Sequence, residues 1–251
     1  MTNEIIRKLS PEEEELEIKK KKLAELSVEI STIQLEISTI NSAIYTFKGL
    51  YLSRLGQKFL KLDKLLAILA EKDVKNNPDD EAFADKAKEA TERMNTTAEE
   101  VGEYANSNND FTAFKPSQNL KSLFRKVSKL IHPDLATDEE DRKRRERLMQ
   151  QANEAYRNHD ELRLQEILDN QSLLSDKVYR DIGEELVVTI RLISNAKIQI
   201  EKMKREVEQL LESEEWKLKT QYEENIAEGI DIFDQMEKEI DQKIKQLEMS
   251  I

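Results

Sequence analysis

Two histidines, fifty-two carboxylates and no cysteine are the raw material for chemistry in this 251-residue chain. The missing cysteine removes thiolate nucleophiles, disulfides and cysteine zinc sites together. His132 and His159 with scattered acids make a poor metal-ligand set. No glycine loop for phosphates, no Gly-x-Ser-x-Gly elbow and no dinucleotide fingerprint occurs. The many Asp and Glu residues lie along helical faces and read as solvated surface rather than as acid–base dyads. No catalytic residue, metal or cofactor is therefore expected, and the protein is read as not an enzyme. His159 is expected only to cap or line a turn. One concentrated constellation remains, His132-Pro133-Asp134, standing directly after a strongly basic stretch. Its chemistry is recognition by charge and hydrogen bonding.

The elements that must position the tripeptide are legible around it. From about Ser117 to Ile131, Leu120, Leu123, Phe124, Val127, Leu130 and Ile131 form an apolar stripe at helical spacing. Lys121, Arg125 and Lys129 recur every fourth residue on another face, with Lys126 beside them. Like charges at that spacing cost a few tenths of a kcal/mol per pair. No acid offsets them between residues 112 and 133. Residues 37–62 also lack acids, so the concentration of positive charge is the distinguishing signal. Pro133 disfavours helix for His132 and forces a stop. Leu135 to Asp141 reads as a loop, and a second helix is expected from Arg142, burying Leu148, Met149, Ala152, Ala155 and Tyr156. The pattern predicts an antiparallel helical pair with the tripeptide at its tip.

This pair resembles helices II and III of the J-domain, in the DnaJ-type co-chaperone class that lacks a zinc finger. Phe124-Arg125-Lys126-Val127-Ser128-Lys129 followed by His132-Pro133-Asp134 fills the helix II pattern, and Asn153-Glu154-Ala155-Tyr156 matches the end of helix III. The resemblance covers residues 117–158. It implies that Lys121, Arg125, Lys126 and Lys129 meet an acidic surface of a DnaK-type heat-shock chaperone. His132, Pro133 and Asp134 would then trigger that partner's ATP hydrolysis. The family's first helix is not evident before Pro116, and Val101-Gly102-Glu103-Tyr104 matches it poorly. An arm of the surrounding coiled coil is expected to cover the apolar stripes instead.

The rest of the chain supplies those arms. Charged residues make up 37% and hydrophobic ones 38%, with five glycines and four prolines, a balance typical of long helices with a narrow buried seam. Ser10 reads as an N-cap, Pro11 as the first helical residue, and Glu12 to Glu15 as acids favouring the positive helix end. Leu23, Leu26, Ile30, Ile33, Ile37, Ile40, Ile44, Phe47 and Tyr51 alternate steps of three and four, the seam of a coiled coil. A stutter follows, through Leu55 and Phe59, with Gly49 and Gly56 inside it, so a bend or a close helix contact is expected there. The run Asn76-Asn77-Pro78-Asp79-Asp80 reads as a turn. A second seam runs from Leu186 through Thr189, Ile193, Ala196, Ile200, Met203, Val207 and Leu210. After a break near Glu214 and Trp216, a third runs from Ile226 and Ile230 through Phe233 to Ile251. The expectation is an all-α fold in which long antiparallel coiled-coil arms flank a compact helical pair. It assigns an N-terminal arm to 10–75, a return helix to 80–106, the J-like module to 115–170 and a C-terminal arm to 176–251. A short extra helix is expected from Asp160 to Asp169, with a linker from Asn170 to Ser175.

The resemblance implies a co-chaperone that recruits and stimulates a DnaK-type chaperone while the arms hold a protein client or assembly. One alternative is a coiled-coil scaffold whose J-like fold is structural. A second is an RNA-associated factor using the Arg142 to Arg147 cluster. Residues 115–147 carry ten basic and six acidic residues. The net charge of −12 disfavours nucleic acid and anionic membranes. Tyr45, Phe47, Tyr51 and Phe59 are read as either a packing hub or an exposed partner patch. Pairing of the arms within one chain and between two chains, which would give a homodimer, satisfies the seams equally. Residues 1–9 hold no apolar core of signal-peptide length and no stretch approaches a membrane span, so a cytoplasmic protein is expected.

Overall fold

The computed structural model describes residues 9–78, 80–105, 114–136, 138–170, 179 and 181–250. Eight α-helices account for most of them: α1 Pro11–Asn76, α2 Glu81–Ala105, α3 Gln118–Ile131, α4 Glu139–Arg157, α5 Glu161–Asp169, α6 Ile182–Glu212, α7 Glu214–Ala227 and α8 Ile232–Glu248. A single 3-10 turn, Pro133–Leu135, separates α3 from α4, and no strand occurs among the described residues. The all-α expectation stands. The expected linker from Asn170 to Ser175 lies largely outside the described residues.

Local chemistry explains the boundaries. At the start of α1 the Ser10 N–H donates to Glu13 Oε2 at 2.7 Å and the Glu13 N–H donates to Ser10 Oγ at 3.3 Å. This reciprocal capping box satisfies two otherwise orphaned donors. The turn predicted at Pro78 ends α1, and the Asp80 carboxylate accepts from the Ala82 N–H at 2.9 Å as α2 begins. The short helix expected from Asp160 to Asp169 is α5, and Asp160 caps it by accepting from the Arg163 N–H.

Two compact units divide the chain, and α1 contributes to both. The first contains α1 up to Ser42 together with α3 to α6. Leu26, Ile30, Ile33, Ile37 and Ile40 of α1 are buried there, as are Thr189, Ile193, Ala196, Ile200, Met203 and Val207 of α6. Lys20 pairs with Glu185 at 2.6 Å and Glu29 with Lys204 at 2.9 Å. Both helices therefore ascend in the same direction.

The second unit contains the rest of α1 with α2, α7 and α8. Arg54 meets Asp231 and Asp234, Lys58 meets Glu237 and Asp241, and Lys61 meets Glu248, so α8 also runs parallel to α1. The antiparallel neighbour is α2. Lys48 pairs with Glu100 at 2.6 Å, whereas further along α1 the buried Asp63 lies 3.0 Å from Arg93 and accepts from the Thr97 hydroxyl at 2.8 Å. The expected antiparallel pairing of the two arms is thus corrected in direction. A heptad seam is apolar whichever way its partner runs. Direction is set by where the intervening helices deliver the chain, and α2 already occupies the antiparallel position.

Two details of the second unit follow from glycine. A β-carbon built on Gly56 would sit 2.8 Å from a Val101 methyl, so the stutter houses a close approach of α1 and α2. Gly229, at φ +79°, ends α7 in a Schellman motif: its N–H donates to the Ile226 carbonyl at 3.0 Å, and the Ile230 N–H donates to that of Asn225 at 2.8 Å. Asp231 then caps α8. The expected continuous seam through Ile226 and Ile230 is therefore corrected, and both residues are exposed. The break near Glu214 is where it was expected, with Ser213 capping α7.

Candidate functional site

The helix bearing the basic run is built as its pattern dictates. Ser117 Oγ accepts from the Leu120 N–H at 2.9 Å and starts α3. Leu120, Leu123, Phe124, Val127 and Ile131 are buried, and Ser128 hides its hydroxyl by donating to the Phe124 carbonyl. Arg125, Lys126 and Lys129 are exposed and Lys121 is half-buried. None of these four cations lies within ion-pair distance of a carboxylate among the described residues. The basic face is therefore free to meet an external negative surface.

The cover expected for the apolar stripes comes from α1 and α5. Phe124 and Tyr156 are both 0% exposed, with ring centroids 4.6 Å apart. The Tyr156 hydroxyl lies 2.9 Å from Thr39 Oγ1, and Ser38 Oγ donates to Asn153 Oδ1 at 2.9 Å. Leu164 and Ile167 of α5 are also buried, and Glu161 accepts from Ser117 and Asn119 at the start of α3. Two residues of the Asn153-Glu154-Ala155-Tyr156 run are thus the anchors that hold α4 to α1.

The tripeptide forms the tight 3-10 turn between α3 and α4. The Leu135 N–H donates to the His132 carbonyl and the Ala136 N–H to that of Pro133, each at 3.1 Å. His132 Nδ1 accepts from the Asp134 N–H at 3.3 Å, which leaves the ring proton on Nε2. The imidazole is only 5% exposed, and its pKa is lowered to about 4 by burial, with the Arg145 charge adding to the effect. At neutral pH it is uncharged, so its 3.4 Å approach to Asp134 Oδ2 is not an ion pair. Asp134 keeps 17% side-chain exposure, and burial pushes its carboxyl above the ordinary range, against the charges of Arg142 and Lys202.

The start of α4 differs from expectation. Asp138 caps it by accepting from the Asp141 N–H at 2.9 Å, and Glu139 to Asp141 form its first turn rather than a loop. The positive helix end favours acids there. Asp141 accepts from Arg144 at 2.7 Å and from Arg145 at 2.8 Å, and Arg145 also donates to the Leu130 carbonyl at 2.7 Å. Arg142 pairs with Glu146 at 3.1 Å. The arginine cluster is largely engaged within its own module. Arg145, which ties the end of α3 to α4 beside the tripeptide, was missed by the sequence reading. Its position four residues after Asp141 was the available signal.

Also missed was the wall opposite the tripeptide. Asn195, Ile198 and Gln199 of α6 line a cleft of about 450 Å³ with Pro133, Asp134 and Ala136. No sequence signal links these segments, because their proximity depends on packing across some sixty residues of chain.

The aromatic group of α1 lies in the second unit and faces two ways. Phe47, Tyr51 and Phe59 pack with Phe233, Tyr222, Ile232 and Ile240, with Phe47 and Phe233 centroids 6.1 Å apart. Tyr45 packs instead beside Leu52, Val101 and Tyr104. The α4 terminus holds His159 at φ +55° in a second Schellman motif, with the Asp160 N–H donating to the Ala155 carbonyl at 2.8 Å. A turn role for His159 was expected. Because glycine adopts that conformation without a steric cost, His159→Gly should raise stability by about 1 kcal/mol. A urea midpoint that falls in this variant would show that the imidazole itself holds the turn.

No protein family, curated protein or solved structure matches the chain. Among the described residues no helix is long and apolar enough to cross a membrane.

Proposed function

We propose that the chain is a J-domain-type co-chaperone. It recruits a DnaK-type heat-shock chaperone and stimulates its ATPase, while the coiled-coil arms engage a protein client or assembly. The observation that carries this reading is the tight His132-Pro133-Asp134 turn at the tip of α3 and α4, beside four cations without carboxylate partners among the described residues. An unpaired basic face attracts an acidic partner, raising encounter rate and salt sensitivity more than final affinity. Engagement of Arg142, Arg144 and Arg145 by carboxylates of the same helix weighs against the RNA-associated alternative. A cytoplasmic location accompanies the chaperone reading.

Single-turnover ATP hydrolysis by a DnaK-type chaperone tests it, with the intact protein and with its His132→Gln and Asp134→Asn variants. The expected result is stimulation by the intact protein that disappears in both variants while their folding is retained. Asp134→Asn removes a carboxylate that burial disfavours, so its stability should hold or rise. A specific observation favours a second reading, a scaffold in which the tripeptide serves packing. His132 is buried and uses its imidazole to hold the Asp134 N–H. On that reading no chaperone is stimulated, and Asp134→Asn leaves biological activity unchanged.

A further inference from the structure

The tripeptide turn faces α6 across an open cleft. Pro133, Asp134 and Ala136 form one wall of the cleft, and Asn195, Ile198 and Gln199 of α6 form the other. Lys202, one turn further along α6, is near enough for its charge to favour the Asp134 carboxylate. The cations of α3, in contrast, remain accessible.

We propose that α6 is an intramolecular cover over the His132-Pro133-Asp134 turn, which a partner engages only when the turn and α6 part. This rests on the co-chaperone reading and adds a regulatory step to it. Two different faces of α6 make the device workable. Its apolar seam, Ala196, Ile200, Met203 and Val207, is buried. The residues facing the tripeptide are instead Asn195, Gln199 and an isoleucine, Ile198, that is 62% exposed. Asn195 and Ile198 are exposed and Gln199 is half-buried, so moving these three side chains away from the turn sacrifices little hydrophobic free energy. A chaperone would land first on Lys121, Arg125, Lys126 and Lys129, and the trigger would follow when the turn is uncovered. Apparent affinity for the trigger is lowered by the fraction of molecules that are open.

The test uses the full chain with three substitutions on the cleft face of α6: Asn195→Glu, Ile198→Glu and Gln199→Glu. These place negative charge opposite three acids, Asp134, Asp138 and Glu139, against one cation of the cleft lining, Arg142, which is paired with Glu146, and they leave the buried seam intact. A closing variant, Asn195→Lys with Gln199→Lys, attracts the same acids. Hydrogen exchange at the Asp134, Leu135 and Ala136 amides reports opening, and single-turnover hydrolysis by a DnaK-type chaperone at subsaturating concentration reports the consequence. The opening variant should exchange faster there and stimulate on the order of three- to tenfold more than the unmodified protein. The closing variant should stimulate less, and Asp134→Asn should abolish all stimulation. Unchanged exchange in the opening variant would overturn the cover. So would faster exchange with an unaltered, Asp134-dependent stimulation, and in that case the co-chaperone reading survives. If neither the unmodified protein nor the opening variant stimulates, the co-chaperone reading fails and the cover fails with it.

Discussion

Phe124→Ala is expected to destabilise the first unit by about 3–5 kcal/mol, a large fraction of the stability of an ordinary domain. Phe124 has no solvent exposure and lies against Tyr156, which has none either. Removing the ring forfeits its transfer free energy and leaves a cavity that the helices around it can only partly fill. The loss should spread to α1, because the Tyr156 hydroxyl is bonded to Thr39 and its ring would lose the surface that orients it. A urea titration followed by far-ultraviolet circular dichroism measures the effect. Tyr156→Phe serves as the control, since it removes only the hydrogen bond and should cost about 0.5–1.5 kcal/mol. A Phe124→Ala shift no larger than that of the control would mean that α3 and α4 are not held by this aromatic pair.

The second large effect is on acid stability. His132 is neutral in the fold, with its pKa lowered to about 4, whereas an unfolded histidine titrates near 6.5. Between those values the unfolded chain binds the proton and the folded chain does not, so stability falls as pH is lowered through this window. The contribution is fully present above about pH 6.5 and amounts to about 3 kcal/mol when lost. Asp134 acts in the opposite sense. Its carboxyl is raised by burial, so the folded state takes up that proton more readily and the penalty of burying the carboxylate is relieved as pH falls. Denaturant midpoints from pH 7 to pH 4 should therefore decline in the intact protein, more steeply in Asp134→Asn, and much less in His132→Gln. An equal decline in His132→Gln would assign the acid sensitivity to other groups.

Composition and spacing determined the class of structure. Alternating three- and four-residue apolar steps can be satisfied only by helices that bury one stripe, so the seams of α1 and α6 were readable residue by residue. Ser10 marked the start of α1 and Pro133 the end of α3, because caps and proline act through nearest neighbours along the chain. The tripeptide and its basic helix were legible for the same local reason. The glycine that ends α7 was equally local, yet Ile226 and Ile230 continued the apolar spacing and obscured it. Only the tertiary structure decided the direction of the pairing, because parallel and antiparallel partners present equivalent seams. It alone turned Tyr45 toward α2 and Phe47 toward α8, since successive faces of α1 meet different neighbours. It also decided how α6 stands over the tripeptide. His132 and Asp134 owe their altered acidities to burial, and burial depends on segments that meet only after the chain has folded.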